Sequence, residues 1–520
     1  MPGIAGPVQP DMRKIHGRFR FRPDRASVVF LAATAVFANT LWNGFVFDDM
    51  QNIVQNRWIK DVRFLPEIFS SHAAGFDPKF STSYYRPLMH VINMVIYHLC
   101  GLRPAGFHLV SVLLHAMVSV LAYLVVRELA KRDTSCTAGN EFVPFVVGLL
   151  FATHPIHTES VAWLAGITDL SFVFFALWAF FFYVRADSRG TMGYALAGLF
   201  FFAAALCKEP ALMLLPLIVI YEAAFRRAYR VTEWPRLVKR LWPLAFAAVL
   251  YVLLRIRALG GFVPAASHGR YAGPAPLLSA LDLFADYLYK MLLPVRLNAL
   301  HVFSPVDFVF DTRLIPAVAA CVAVAAMAWS FRRRPVVVTG LAFVVLPLLP
   351  VLYIPALGEG VFAERYLYLP SLGFAILLAL GMQRVRDRWP WGTVWVAVLA
   401  GFLLLSYTAG SVTRNRVWAD SLSLWTDTAE KSPTSAAAHE YLCYARYEAG
   451  RPREALESCR RALELDAGRI DARANLAMIL SVLGDLDGAI AEFMEVLRLR
   501  PDFAEAYTNL GLTYSMLQSR

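Results

Sequence analysis

The sequence predicts an all-α membrane protein: a polytopic helix bundle of about eleven apolar spans, followed by a water-facing α-solenoid. Three observations lead there. Of the 520 residues, 58% are hydrophobic and only 17% charged, and the mean hydropathy is +0.50. A water-facing globule cannot cover that much apolar surface. Basic clusters alternate with long apolar stretches, and from about Asp420 the composition becomes soluble and periodic.

The elements follow in chain order. Residues 1–26 form a basic cytoplasmic N-terminus containing Arg13, Lys14, Arg18, Arg20, Arg22 and Arg25. The apolar run Ser27–Phe45 is long for a cleaved signal and lacks a small-x-small cleavage site, so it reads as a retained signal anchor. Further spans fall near 107–126, 142–157, 168–184, 191–206, 210–225, 240–257, 312–331, 335–354, 366–382 and 391–410. With a cytoplasmic N-terminus, every large basic cluster then lies on the cytoplasmic side, Arg226–Arg240 and Arg332–Arg334 among them. An odd number of spans places the C-terminus outside.

Residues 27–411 are thus the membrane domain, with a first outer loop at 46–106. Counting Tyr84–Cys100 as a span would invert the later basic clusters. Its polar residues Arg86, His90, Asn93 and Tyr97 share one helical face, which predicts an amphipathic helix in the outer interface. Residues 277–303 read the same way. The formal charge of +11 belongs to this topology and excludes a nucleic-acid binder. The six cysteines show no metal-ligand spacing. Cys100, Cys136, Cys207 and Cys321 read as small core residues, and Cys443 and Cys459 fall on paired helices where a disulfide is open. Trp42, Trp58 and Trp163 read as membrane-belt residues.

Residues 412–435 are expected to be a linker, and 436–520 a repeat array. Ala438, Ala472 and Ala506 recur every 34 residues, as do Leu442, Leu476 and Leu510. That period, with small residues where helices touch, is the tetratricopeptide pattern. Two units are complete. "AYTNLGLTY" opens a third, which either caps the array or marks a truncated chain.

A polar cluster gathers on the predicted outer side. The first loop supplies Asp48, Asp49, Arg86 and His90. The span 107–126 carries His108, Ser111, His115 and Ser119 as a stripe, and "HPIHTESVAWLAGITD" supplies His154, His157, Glu159 and Asp169. "CKEP" adds Lys208 and Glu209, and "FAERYLYLPSLGF" adds Glu364, Arg365, Tyr366 and Tyr368. Ionisable groups at a membrane mouth are costly and imply use.

Group transfer from a lipid-anchored sugar phosphate suits such a site. The phosphate needs fixed cations, expected from Arg86, Lys208 and Arg365 with Tyr368. The acceptor hydroxyl needs a carboxylate base, for which Asp48 or Asp49 is the candidate. Direct displacement would invert the anomeric centre. His90, His115, His154, His157, Glu159, Asp169, Glu209 and Glu364 are expected to support the site or line its acceptor side. Two histidines around Pro155 make no metal site by themselves, so no metal or other cofactor is expected.

Taken in order, "FVFDD", "YYRPL", "HPIHTESVAW", "KE" and "ERYLYLPSLGF", followed by the repeats, resemble the transmembrane O-mannosyltransferases with tetratricopeptide repeats, of the GT-C class. The resemblance covers nearly the whole chain. It implies a GT-C membrane fold, a catalytic acidic pair at Asp48–Asp49 with Asp48 the base, and inverting, metal-independent transfer from a polyprenyl-phosphate sugar to protein Ser or Thr. It also implies repeats on the side of the active site that engage the acceptor. Where the family carries an arginine two residues before the acid, this chain has Ile167 before Asp169. Compact loops and Arg/Ala-rich composition suggest a bacterial homologue in the inner membrane with periplasmic repeats, which would favour an undecaprenyl carrier. The alternatives are transfer to a glycolipid or envelope polysaccharide, and a non-catalytic membrane-anchored scaffold. A transporter would place its polar groups near the midplane.

Overall fold

Helices form where the sequence alternates apolar runs with proline and glycine breaks, and every regular element among the described residues is helical. The computed structural model describes residues 24–77, 82–133, 141–226, 231–261, 275–353 and 360–519. Most of the basic N-terminus, up to residue 23, lies outside these, as do Cys136, Arg227 and Arg230.

The membrane domain runs α1 (Arg25–Phe37), α2 (Leu65–Ser70), α3 (Pro87–Cys100), α4 (Pro104–Arg132), α5 (Phe142–Thr153), α6 (Thr158–Ala162), α7 (Ile167–Arg189) and α8 (Thr191–Cys207). It continues with α9 (Leu214–Arg226), α10 (Trp234–Leu259), α11 (Ala275–Leu292), α12 (Leu314–Ser330), α13 (Pro335–Val345), α14 (Pro370–Arg388) and α15 (Gly392–Val417). Each predicted span falls on helix. Among the described residues, six helical stretches are long and apolar enough to cross a membrane: Arg25–Trp42, Pro104–Arg132, Leu164–Ala186, Trp234–Leu259, Pro335–Leu352 and Gly392–Val417.

Local chemistry sets the breaks that matter for function. Asp24 caps α1 by accepting from Ser27 N–H (2.8 Å). His154 precedes Pro155, is extended, and accepts from Ile156 N–H through Nδ1, which ends α5. Lys208 is likewise extended, two residues before Pro210, which ends α8. Gly166 closes the turn before α7, where a Cβ would lie 2.7 Å from the Ser160 carbonyl oxygen.

Four expectations are corrected. Helix α3 forms as predicted, but its polar face is turned inwards: His90 and Asn93 are buried while Val95 and Leu99 are exposed. With lipid as solvent, the apolar side belongs outside. The second amphipathic segment is helical only over Ala275–Leu292, the rest of 277–303 being without regular structure. Trp42 is exposed as a belt residue should be, but Trp58 and Trp163 are buried. The expected linker is largely helix, the end of α15 and α16 (Ser421–Lys431).

The solenoid follows as α17 (Ala436–Glu448), α18 (Pro452–Leu465), α19 (Ile470–Leu483), α20 (Leu486–Leu499) and α21 (Ala504–Gln518). Ala438, Ala472 and Ala506, the repeating small residues, are all buried, which is why the period tolerates nothing larger there. Cys443 and Cys459 form a disulfide joining α17 to α18 (Cα–Cα 5.2 Å). One core cluster joins the two parts: Val46, Trp163, Trp418, Leu424, Trp425 and Leu442 pack together. The repeats are therefore seated on the loop that carries the two aspartates.

Candidate active site

The two aspartates sit in different environments although they are adjacent in sequence. The loop leaving α1 is tied down by Gly44 N–H donating to the Ala419 carbonyl (2.8 Å) and Asn43 Nδ2 to that of Asn415 (3.0 Å). Asp49 is buried, and its carboxylate accepts from Val46 N–H (3.0 Å) and Ala165 N–H (2.8 Å). Burial pushes its pKa up to about 8 against the pull of those amides. Asp48 is half-buried, and among the described residues its carboxylate has no hydrogen-bond or ion-pair partner. Burial raises its pKa to about 6, while the Arg365 guanidinium draws it down. Asp49 holds the loop; Asp48 keeps its lone pairs available.

Beyond Asp48 lies a row of ion pairs. Arg365 donates its N–H to Glu159 (2.9 Å) and its guanidinium to the same carboxylate. Lys208 Nζ lies 2.5 Å from Asp169 Oδ1. Arg86 donates twice to Glu209 Oε2 (3.0 and 3.1 Å). The Tyr366 ring lies 5.1 Å from both Lys208 Nζ and the Arg365 guanidinium carbon. Burial lowers the Lys208 pKa to about 8, opposed by Asp169. Asp169, Lys208, Arg365, Tyr366 and Tyr368 border a crevice of about 20 Å³, so the cations are gathered but each holds a carboxylate.

The structure thus brings together Asp48, Asp49, Glu159, Asp169, Lys208, Arg365 and, at the far end, Arg86 and Glu209. Asp169 takes its cation from Lys208, while Ile167, in the place of the family's arginine, is buried.

Other candidates are turned elsewhere. The Tyr368 hydroxyl, expected near phosphate, instead bonds His115 Nδ1 (2.8 Å), whose Nε2 donates to the Ala152 carbonyl (3.2 Å). His157 Nε2 meets Ser371 Oγ (2.8 Å) and His154 Nε2 the Met291 carbonyl (3.2 Å). These three histidines are buried between helices, each held by its own hydrogen bonds. His90 joins Asn56 (3.1 Å) and the Ala73 carbonyl (2.9 Å), holding the first loop on α3. Glu364 is buried and accepts from Asn298 N–H (2.6 Å) and His301 (3.0 Å).

Sequence reasoning missed Arg255, which donates to Glu209 (3.1 Å) and to the Ser83 carbonyl (2.8 Å). Its signal was available: an arginine inside an apolar span, on the side of the other site residues. It also missed Phe47, a non-glycine residue with φ of 53°. That conformation costs roughly 1–2 kcal/mol and must be held from outside. Three rings hold it: Trp163 (5.9 Å), Trp425 (5.1 Å) and Tyr441 (5.3 Å).

Trp425 belongs to α16, just before the repeats, and Tyr441 to α17, their first helix, so the start of the repeat array forms one wall of the clamp beside Asp48. Replacing both Trp425 and Tyr441 by alanine removes aromatic contacts worth about 0.5–1.5 kcal/mol each. The expected result is a fall in kcat of about tenfold with the donor KM unchanged. The acid limb of the pH profile should move down as Asp48 becomes wetter. Single-substrate kinetics across pH check both.

A family model for the tetratricopeptide repeat matches residues 446–511. Human "Protein O-mannosyl-transferase TMTC3" is 25% identical over 93% of this chain and 52% of its own length. Human "Protein O-mannosyl-transferase TMTC4" is 28% identical over 79% of this chain and 62% of its own. The Drosophila melanogaster protein of the first name is 26% identical over 87% of the chain and 57% of its own length. The chain therefore spans between half and two thirds of these relatives. Among solved structures, ArnT from Cupriavidus metallidurans bound to undecaprenyl phosphate aligns with 91% of this chain and 80% of its own, at 14% identity and a TM-score of 0.42. Along most of its length the chain is thus similar to proteins named protein O-mannosyl-transferases, and residues 446–511 match the tetratricopeptide repeat.

Proposed function

We propose that the chain is an inverting GT-C glycosyltransferase that moves a sugar, mannose-like by kinship, from a polyprenyl phosphate to a Ser or Thr hydroxyl of a protein. The observation that carries this is the split aspartate pair. Asp48 has a carboxylate without a partner among the described residues, held beside Asp49 and in the field of Arg365. In the reaction the acceptor oxygen attacks C1 as its proton passes to Asp48. The bond from C1 to the phosphate oxygen breaks with its electron pair, and polyprenyl phosphate leaves.

Arg365 and Lys208 are the cations we assign to that phosphate, with Tyr366 stacked beside both. They meet it by exchanging part of their bonding to Glu159 and Asp169. The repeats present the acceptor. The Cys443–Cys459 disulfide supports an oxidising, extracytoplasmic setting for them.

The test supplies membranes holding the full chain with labelled polyprenyl-phosphate sugars and follows label into protein and lipid fractions separately. Label in protein is the expected result. Label in lipid alone would replace the acceptor by a glycolipid, and no transfer from any donor would overturn the reading. The same assay checks the base. Asp48 works ionised and its pKa is about 6, so kcat/KM should rise about tenfold per pH unit up to pH of about 6, then level. A limb near pH 4, the ordinary carboxylate range, would remove Asp48 from that role.

A further inference from the structure

A cavity of about 670 Å³ lies at the end of the bundle opposite Asp48. The ends are told apart by their neighbours. α14 begins beside the site, just after Arg365 and Tyr368, and finishes at Arg388, about 28 Å away by helical rise. α13 begins at the far end, and the stretch that follows it reaches the crevice with Pro347 and Val351. The cavity therefore has nothing to do with the transfer site.

Its walls are amphiphilic in an ordered way. Phe331, Leu377 and Leu380 supply an apolar wall, while Arg334, Arg384 and Arg388 stand at the helix ends. None of these three arginines makes a side-chain ion pair among the described residues. The two acids that also line the cavity are engaged: Asp387 pairs with Arg386 (2.9 Å), and Asp133 has a partner of its own. Just beyond the arginines, Trp389 and Trp391 are exposed, as tryptophans are at the boundary between lipid and water. Three unmatched cations over an apolar slot, at headgroup depth, match one ligand chemistry: a phosphate carrying acyl chains.

We infer that this cavity is a binding site for an anionic phospholipid of the leaflet facing the basic end, its phosphate between Arg334, Arg384 and Arg388 and its chains against Phe331, Leu377 and Leu380. The positive-inside rule assigns that end to the cytoplasmic leaflet, where anionic lipids meet basic helix ends. A zwitterionic lipid would leave the arginines without a matching net charge, and a soluble phosphate would leave the apolar wall bare.

The test is native mass spectrometry of the purified full chain titrated with phosphatidylglycerol, phosphatidylcholine and a polyprenyl phosphate in turn. The wild type is expected to retain one phosphatidylglycerol in clear preference to phosphatidylcholine. The double variant Arg384→Gln/Arg388→Gln should lose about tenfold in that affinity. The control Arg332→Gln/Arg333→Gln, with the same change of charge outside the cavity, should not. All four positions are exposed, and equal unfolding temperatures confirm intact folds. Equal loss in both double variants would reduce the effect to bulk charge and overturn the site. Tighter retention of the polyprenyl phosphate, lost in the same variant, would overturn the assigned ligand.

Discussion

Asp48→Asn is expected to cut sugar transfer by roughly 10²–10⁴-fold, the range for loss of a general base, without loosening the fold. The carboxylate has no hydrogen-bond partner among the described residues to lose. The sign of its pKa shift points the same way. A carboxylate whose folded pKa, about 6, lies above its ordinary value burdens the fold progressively as pH rises from the ordinary carboxylate range to about 6, and fully above it. At neutral pH, a neutral amide there should leave the unfolding temperature unchanged or slightly raised. Asp49→Asn should behave differently. The Asp49 pKa is raised too, to about 8, but both of its oxygens accept a backbone N–H, from Val46 and Ala165, and the Nδ2 of an asparagine would face one of those donors, so activity and unfolding temperature should fall together. Measuring transfer and unfolding on both variants separates base from anchor. Transfer by Asp48→Asn within about tenfold of wild type would end its claim to be the base.

The second large effect concerns Lys208. Its side chain and that of Asp169 are 5% and 6% exposed, so each is the other's main compensation for leaving water. Lys208→Met strands Asp169 and should cost about 3–5 kcal/mol of stability. The double variant Lys208→Met/Asp169→Leu replaces the pair by apolar groups and should recover most of that. Transfer should stay lost in both if Lys208 also meets the donor phosphate. Recovery of transfer along with stability would make the pair purely structural. Thermal unfolding and transfer assays on the two variants give the answer directly.

Much of this architecture was legible because its signals run along the chain. Hydropathy located the helices, the 34-residue spacing of Ala438, Ala472 and Ala506 located the repeats, and charge placement collected Asp48, Asp169, Lys208 and Arg365 on one side. Each reads from near neighbours, since a helix buries a stripe and a membrane rejects charge wherever it falls.

What sequence left open were the partners. Nothing local says that Asp49, and not Asp48, meets Ala165 N–H, a residue 116 positions away. Nor does it say that Tyr368 turns to His115, 253 positions away, instead of towards phosphate. Trp163 has the composition of a belt residue but is packed beneath Phe47, and the polar residues His90 and Asn93 of α3 face protein while its Val95 and Leu99 are exposed. The kinds of residue and their gathering at one end of the bundle were written in the sequence. Which carboxylate is anchored, which cation holds which acid, and which repeat ring braces Phe47 were decided only by folding, because a hydrogen bond or an aromatic contact is made by whichever segment arrives within a few ångströms, however distant it is along the chain.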